Sequence, residues 1–97
     1  MEPKITHEPE AGRFVVELEE GEGVLSYREA GDDRLDFLRT WVPPAARNRG
    51  IGEALVLEGL DHARQHEKRV IPSCPFVKTV AKRHPEYQPI LVDDGPG

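Results

Sequence analysis

A basic, glycine-containing turn in the middle of the chain has the residue types of an anion-binding site. Residues 42–52 read Val-Pro-Pro-Ala-Ala-Arg-Asn-Arg-Gly-Ile-Gly. The first N–H groups of a helix lack intrahelical partners and lie at the positive end of its dipole. Glycines let backbone N–H groups approach a phosphate, and guanidinium groups match phosphate oxygens in charge and geometry. The turn therefore predicts a phosphate site, and the alternative is a tight turn with two solvated arginines.

Cys74 and His84 are further side chains that could take part in covalent or acid–base chemistry. Cys74 is the only cysteine, and Pro75 after it suits the first position of a helix. Because a helix N-terminus favours the thiolate, one hypothesis is a nucleophile that forms a covalent intermediate. The alternative is a small, half-buried wall residue. His84 is a candidate general base, or else a cap at a helix C-terminus.

Three other histidines carry no predicted chemistry. His62 and His66 have the spacing of a metal-binding pair on a helix. The sequence supplies no third ligand beside them, so we expect no metal site. We expect both residues, and His7, to be solvated.

Alternating apolar and polar residues predict the strands that lead to the basic turn. Residues 14–18, 24–28 and 35–42 are typical of three antiparallel strands, with turns at 21–23 and 31–33. Ile5 is a possible start for a short edge strand, but residues 1–12 are polar and contain Pro3, Pro9 and Gly12, so we predict no strand there. Two prolines, Pro43 and Pro44, end the third main strand because neither can donate an N–H.

Helical spacing of apolar residues predicts a helix from about Arg49 to Glu67. Its apolar face is Gly52, Leu55, Val56, Gly59, Leu60 and Ala63, whereas Glu53, Asp61, His62 and Gln65 lie on the other side. A short strand at 69–72 follows, and a right-handed crossover makes it parallel to the third strand.

A second helix is expected to begin at Ser73 or Cys74 and to end at His84-Pro85. Its predicted apolar side is Phe76, Val77, Val80 and Ala81. Residues 88–92 predict a last short strand, and a frayed tail follows from Asp93. The expected fold class is α+β, with a mostly antiparallel sheet, a crossover helix and a second helix at one edge.

Composition limits the function classes. The 97 residues predict one domain, and the net charge of −5 argues against nucleic acid and anionic membranes as partners. Basic residues crowd the second half, which suits a small anionic ligand. A single cysteine excludes an intrachain disulfide and a cysteine-cluster zinc site. The chain lacks a signal-peptide pattern and a 20-residue apolar run, so we expect a cytoplasmic protein.

The order of meander, Arg-x-x-Gly-x-Gly turn, helix, strand and helix resembles the GCN5-related N-acetyltransferase (GNAT) superfamily. Residues 42–52 look like its pyrophosphate loop. Residues 70–77, Val-Ile-Pro-Ser-Cys-Pro-Phe-Val, and 83–87, Arg-His-Pro-Glu-Tyr, resemble its small single-domain branch. The resemblance covers about residues 13–91 and implies a minimal N-acetyltransferase-like domain over 1–97, with both ends frayed.

The resemblance implies acetyl-CoA as cofactor and acetyl transfer to an amine of a small molecule, peptide or protein. It places the pyrophosphate on Arg47, Asn48, Arg49, Gly50, Ile51 and Gly52. It lays the pantetheine arm along about 37–42, with a backbone N–H near Trp41 or Val42 polarising the thioester carbonyl. It brings Cys74, Phe76 and Lys78 of the second helix towards the thiol end or the middle of the cofactor.

Three positions depart from the family pattern. Val80 stands where many members of this branch carry a tyrosine that could protonate the leaving thiolate. Arg39 and Trp41 stand where a histidine and a smaller polar residue are expected. A non-catalytic CoA-binding module is therefore the alternative, and a phosphate or nucleotide binder that shares only the turn is the third hypothesis. A monomer or a weak dimer is expected.

Overall fold

The computed structural model describes residues 4–92, which form a five-stranded sheet with a long helix on one face. The strands lie in the order β1-β2-β3-β4-β5, and β4 and β5 alone pair in parallel within this sheet. The elements are β1 (Ile5–Glu8), β2 (Arg13–Leu18), β3 (Gly21–Glu29), β4 (Arg34–Trp41), α1 (Ile51–Gln65), β5 (Arg69–Ile71) and α2 (Pro75–Arg83). Short 3-10 helices cover Pro44–Ala46 and Pro85–Ile90. The α+β class and the parallel crossover are confirmed.

The hairpin of β2 and β3 turns earlier than expected. Its turn is at residues 19–20, and β3 already begins at Gly21. Gly23 lies opposite Val16 in the ladder, and a Cβ added at Gly23 would lie 3.0 Å from Cγ1 of Val16 and 3.4 Å from Cδ1 of Leu55. The predicted turn at 21–23 is wrong because this glycine serves close packing under α1. The expectation of a frayed end before residue 13 is wrong for residues 5–8, which pair with β2 as the edge strand β1.

The core lies between the sheet and one face of α1. Leu55, Val56, Leu60 and Ala63 are fully buried, at the spacing that the sequence predicts. Each such leucine or valine stabilises the fold by roughly 1.5–3 kcal/mol through the apolar surface removed from water. The helix spans Ile51–Gln65, two residues shorter at each end than expected.

β4 and β5 separate soon after they meet. Their ladder joins only residues 34–36 to 69–71. On the other side of β4, the register of its pairing with β3 shifts between Ser26 and Tyr27. Leu38 therefore has no opposite residue on β3. The N–H of Cys74 donates to the carbonyl of Phe37 (3.0 Å). Within the described chain, no strand therefore covers the β5-facing edge of residues 37–41.

The chain after α2 is helical rather than extended. Residues 85–90 form a 3-10 helix, and the parallel strand partner of β5 is reduced to a bridge between Val70 and Leu91. The strand predicted at 88–92 is wrong because Pro89 cannot donate to a ladder and the buried Tyr87 turns the segment towards α1. The tail predicted from Asp93 lies outside the described residues.

α2 is amphipathic, with one exception to the predicted face. Val77, Val80 and Ala81 are buried, whereas Phe76 is 39% exposed. As expected, the helix ends before His84-Pro85. Over residues 4–92, neither helix has the length and apolar character needed to cross a bilayer.

Candidate functional site

A cleft of about 460 Å³ opens where the turn after β4, the first turn of α1 and the helix α2 meet. Most of the predicted anion turn lines it: Val42, Arg47, Asn48, Gly50, Ile51 and Gly52. Ala46, Thr40, Glu53, Phe76 and Arg83 complete the lining. The cleft thus joins the start of α1 to the last residues of β4.

The first turn of α1 has free backbone donors. Gly50 is the N-cap, with φ +77°, and no side chain caps the helix. The intrahelical bonds begin with the N–H of Ala54, which donates to the Gly50 carbonyl (3.0 Å). The N–H groups of residues 51–53 therefore lie at the positive end of the helix dipole without an intrahelical acceptor. Asn48 also has a left-handed backbone, with φ +70°.

The two arginines of the turn have different surroundings. Nε of Arg47 donates to the Val42 carbonyl (2.9 Å), and its guanidinium lies 5.0 Å from the centre of the Trp41 ring. Arg49 instead pairs with Glu20, at 2.7 Å between Nη2 and Oε2. The backbone N–H of Glu20 and the bond from Arg49 lower the pKa of that carboxyl. The structure brings Arg47 to the cleft and turns Arg49 away.

Trp41 lies beside the cleft rather than in its wall. The side chain is 41% exposed, and the guanidinium of Arg39 lies 5.7 Å from its ring centre. With Arg47 at 5.0 Å, two cations thus flank one indole. Cation–π contacts of this kind are worth about 0.5–1 kcal/mol at exposed sites.

Gly52 and Phe76 bring the two helices together at the cleft. A Cβ added at Gly52 would lie 3.1 Å from Cε2 of Phe76. Because Gly52 has no side chain, the Phe76 ring packs across the first turn of α1. This contact explains why Phe76 leaves the core side of α2.

Cys74 lies behind the cleft wall. It is buried, and its Sγ is 3.6 Å from Oγ1 of Thr40, a residue that lines the cleft. Cys74 is the N-cap of α2, as expected, while the Ser73 hydroxyl donates to Asp36 (2.6 Å) instead of capping the helix. Lys78 is exposed one turn further along α2 and does not line the cleft.

Glu53, Arg83 and His84 form a polar cluster at the loop end of the cleft. Arg83 donates from Nη1 to Oε1 of Glu53 (3.2 Å), and Nε2 of His84 lies 2.9 Å from Oε2. The His84 bond lowers the pKa of Glu53. His84 does not line the cleft itself but contacts the lining residue Glu53. It lies at the opposite end of α2 from Cys74. The spacing places Glu53 on the polar side of α1, but no local pattern reveals that the end of α2 meets it.

The expectation of solvated histidines is wrong for His7 and His62. The His7 ring stacks on Phe14 (4.2 Å between centres) and touches His62 (4.4 Å), while its Nε2 bonds to the Tyr27 hydroxyl. Burial, followed by neighbouring histidine charge, lowers the pKa of both residues. Both rings are half-buried because β1 pairs with β2 and places His7 opposite Phe14. Residues 4–92 contain no group of three ligand-type side chains arranged to hold a metal.

A family profile covers most of the chain. The profile of the GCN5-related N-acetyl-transferases matches residues 13–90. The chain belongs to this family. Protein NATD1 of Bos taurus is 29% identical to this GNAT chain over 84 residues, which cover 84% of the chain and 74% of NATD1.

A solved structure agrees with the GNAT fold. The solution NMR structure of a GCN5-like protein from Staphylococcus aureus superposes with a TM-score of 0.73 at 21% identity, covering 96% of this chain and 91% of that one. At this identity the match concerns the fold alone. The resemblance drawn from the turn and from residues 70–87 is thus confirmed at the level of family and fold.

Proposed function

We propose that this GNAT protein is an acetyl-CoA-dependent N-acetyltransferase that acts on an amine of a small molecule, peptide or protein. Family membership supports acetyltransferase chemistry. The observation that carries the proposal is the meeting of two features at one cleft: the uncapped start of α1 and the unpaired edge of β4. The first suits a diphosphate, and the second suits a ligand that carries amides.

The residues present fit the CoA group. The N–H groups of residues 51–53 and the Arg47 guanidinium offer donors and positive charge to the diphosphate. The open edge of residues 38–41, beyond the bond from Cys74 to Phe37, offers backbone donors and acceptors to the pantetheine amides, as a sheet edge does to an added strand. A cleft of about 460 Å³ lies in the range of small-molecule sites. Three placements stay predictions: Arg49 on the diphosphate, Trp41 near the thioester, and Lys78 near the thiol end or the middle of the cofactor.

Bound acetyl-CoA supplies an activated acetyl group. The chain would hold the acceptor amine beside it and direct a backbone N–H near Trp41 or Val42 at the acetyl oxygen, where negative charge develops. Direct transfer needs a positioned amine and an acceptor for the proton that the amine loses, while the departing thiolate takes up a proton, so a covalent step through Cys74 is not needed. The bond between His84 and Glu53 at the loop end of the cleft favours a structural role for His84 over the role of general base.

A CoA-binding module without transferase activity is the second candidate, and Val80 favours it. Val80 is fully buried. From this position α2 therefore offers no hydroxyl to protonate a leaving thiolate, as the tyrosine of many relatives could.

Thermal unfolding with CoA, acetyl-CoA and ADP tests the cofactor, and thiol release over a panel of amines tests transfer. A ligand at a hundred times its Kd adds about 2.7 kcal/mol, which raises the midpoint by about ten degrees or more. We expect both CoA forms to raise it and at least one amine to release free thiol. A shift without thiol release would favour the module. No shift at millimolar ligand would remove the proposal.

A further inference from the structure

We propose that Arg83 is a second guanidinium for the cofactor diphosphate, and that Glu53 holds it at the cleft until the diphosphate takes its place. This inference rests on the proposed function, because it takes CoA as the ligand of the cleft. It adds Arg83, from the C-terminal end of α2, to the residues of the predicted turn, together with the Glu53 carboxylate to which Arg83 donates.

The geometry begins with two cations on different walls. Arg47 comes from the turn before α1 and Arg83 is the last residue of α2, and both line the cleft. The uncapped N–H groups of residues 51–53 belong to the same lining. Two guanidinium groups beside a helix N-terminus match a ligand that carries two linked phosphates, because each group can take oxygens of its own.

Glu53 uses both of its oxygens on the end of α2. Oε1 accepts a hydrogen bond from Arg83, and Oε2 lies 2.9 Å from Nε2 of His84. Glu53 is the third residue of α1, where an acidic side chain can fold back to cap the helix. It does not do so here, and the first N–H groups stay available to an anion. The carboxylate instead holds Arg83 beside them.

The ion pair between Arg83 and Glu53 leaves Arg83 able to change its partner from Glu53 to a bound phosphate. The Arg83 side chain is 59% exposed, and its Nη1 atom donates to Glu53, which leaves most of the five guanidinium donors for another acceptor. A diphosphate in the cleft would repel the Glu53 carboxylate and attract Arg83. His84 remains as a partner for Glu53 when Arg83 turns to the phosphates.

The plainer interpretation is an exposed ion pair that links α1 to α2. Such pairs add little to stability. The pair between Arg64 and Asp61 (2.9 Å), which lies outside the cleft lining, fits that description. The pair between Arg83 and Glu53 differs because both of its members line the cleft.

Calorimetric titration of CoA and of 3′-dephospho-CoA tests the assignment. We expect Arg83→Gln to weaken the binding of both ligands by about tenfold, as loss of a charge-assisted hydrogen bond does. We expect Glu53→Gln to tighten both by about threefold, because a repelling charge at the surface is removed. Lys82→Gln is the matched control. It removes the same charge from the neighbouring exposed residue, which does not line the cleft, and should leave both Kd values unchanged.

Each contrary result has its own meaning. An unchanged Kd in Arg83→Gln, or an equal loss in Lys82→Gln, overturns the role of Arg83. A loss seen with CoA but not with dephospho-CoA moves Arg83 to the 3′-phosphate and overturns the diphosphate assignment. Weaker binding in Glu53→Gln overturns the exchange. If the wild-type protein binds neither ligand, the proposed function itself fails, and this inference fails with it.

Discussion

Gly59 of α1 packs directly on the ring of Phe37 in β4, and a Cβ added at Gly59 would lie 2.9 Å from Cε2 of that ring. The same Cβ would lie 2.8 Å from Cδ2 of Leu25. Both neighbours are fully buried. The glycine therefore sets how closely the helix approaches the two central strands.

We expect Gly59→Ala to destabilise the protein although alanine favours helix. Overpacking a buried site costs about 1–3 kcal/mol, and the better helix propensity returns about 1 kcal/mol. A net loss of about 1 kcal/mol should lower the thermal midpoint by roughly 4–8 °C. Glu58→Ala, at an exposed position of the same helix, is the control and should change the midpoint little. A midpoint that rises in Gly59→Ala would show that the strands can move aside.

The pair of half-buried histidines makes stability depend on pH. Burial lowers the pKa of His7 and His62 below the value of 6.5 that they have when unfolded. The unfolded chain thus binds more protons near neutral pH, and stability falls as the pH drops through 6.5 and then through the lower folded values. His66 and Lys68 add positive charge beside the cluster, and Glu58 partly opposes it.

Urea unfolding at about pH 7.5 and about pH 5.5 measures this dependence. We expect a lower midpoint at the acidic pH in the wild type. We expect a smaller drop in His62→Gln, because one of the two shifted groups is gone. An equal drop in the two proteins would mean that other groups carry the effect.

Arg47 and Arg49 should differ in cofactor binding although they are two residues apart. Arg47 lines the cleft, whereas Arg49 pairs with Glu20. We expect Arg47→Ala to weaken CoA binding by about tenfold and Arg49→Ala by twofold or less, as measured by calorimetry. Each variant is the charge-matched control of the other. Equal losses would place both guanidinium groups on the bound cofactor.

The sequence predicts the main elements because their signals are local. Apolar periodicity marks α1 and the meander, and Pro43 and Pro44 mark the end of β4. The errors concern residues whose conformation depends on distant neighbours. Gly23 has the type of a turn residue, yet in the structure it makes room for Leu55 of α1.

The residues of the candidate site likewise divide into those that a local motif predicts and those that only the tertiary fold brings together. The turn at 47–52 is a contiguous motif, and five of its six residues line the cleft. Glu53 and Arg83 are thirty residues apart in the chain, and only the packing of α2 across the start of α1 joins them. A helical projection of α1 alone places Glu53 on the polar face, where nothing distinguishes it from Glu58. Contacts between the ends of two helices need the tertiary fold.

Cys74 is the last residue whose role an experiment should decide. Its buried Sγ lies behind Thr40, which itself lines the cleft, so an acyl donor would meet Thr40 before the thiol. We expect Cys74→Ala to keep kcat within about threefold of the wild type, because direct attack by a positioned amine needs no protein nucleophile. Intact-mass measurement after exposure to acetyl-CoA without an acceptor should find no acetyl adduct on Cys74. An adduct in the wild type that disappears in Cys74→Ala, together with lost turnover in a variant that still unfolds cooperatively, would establish the covalent route instead.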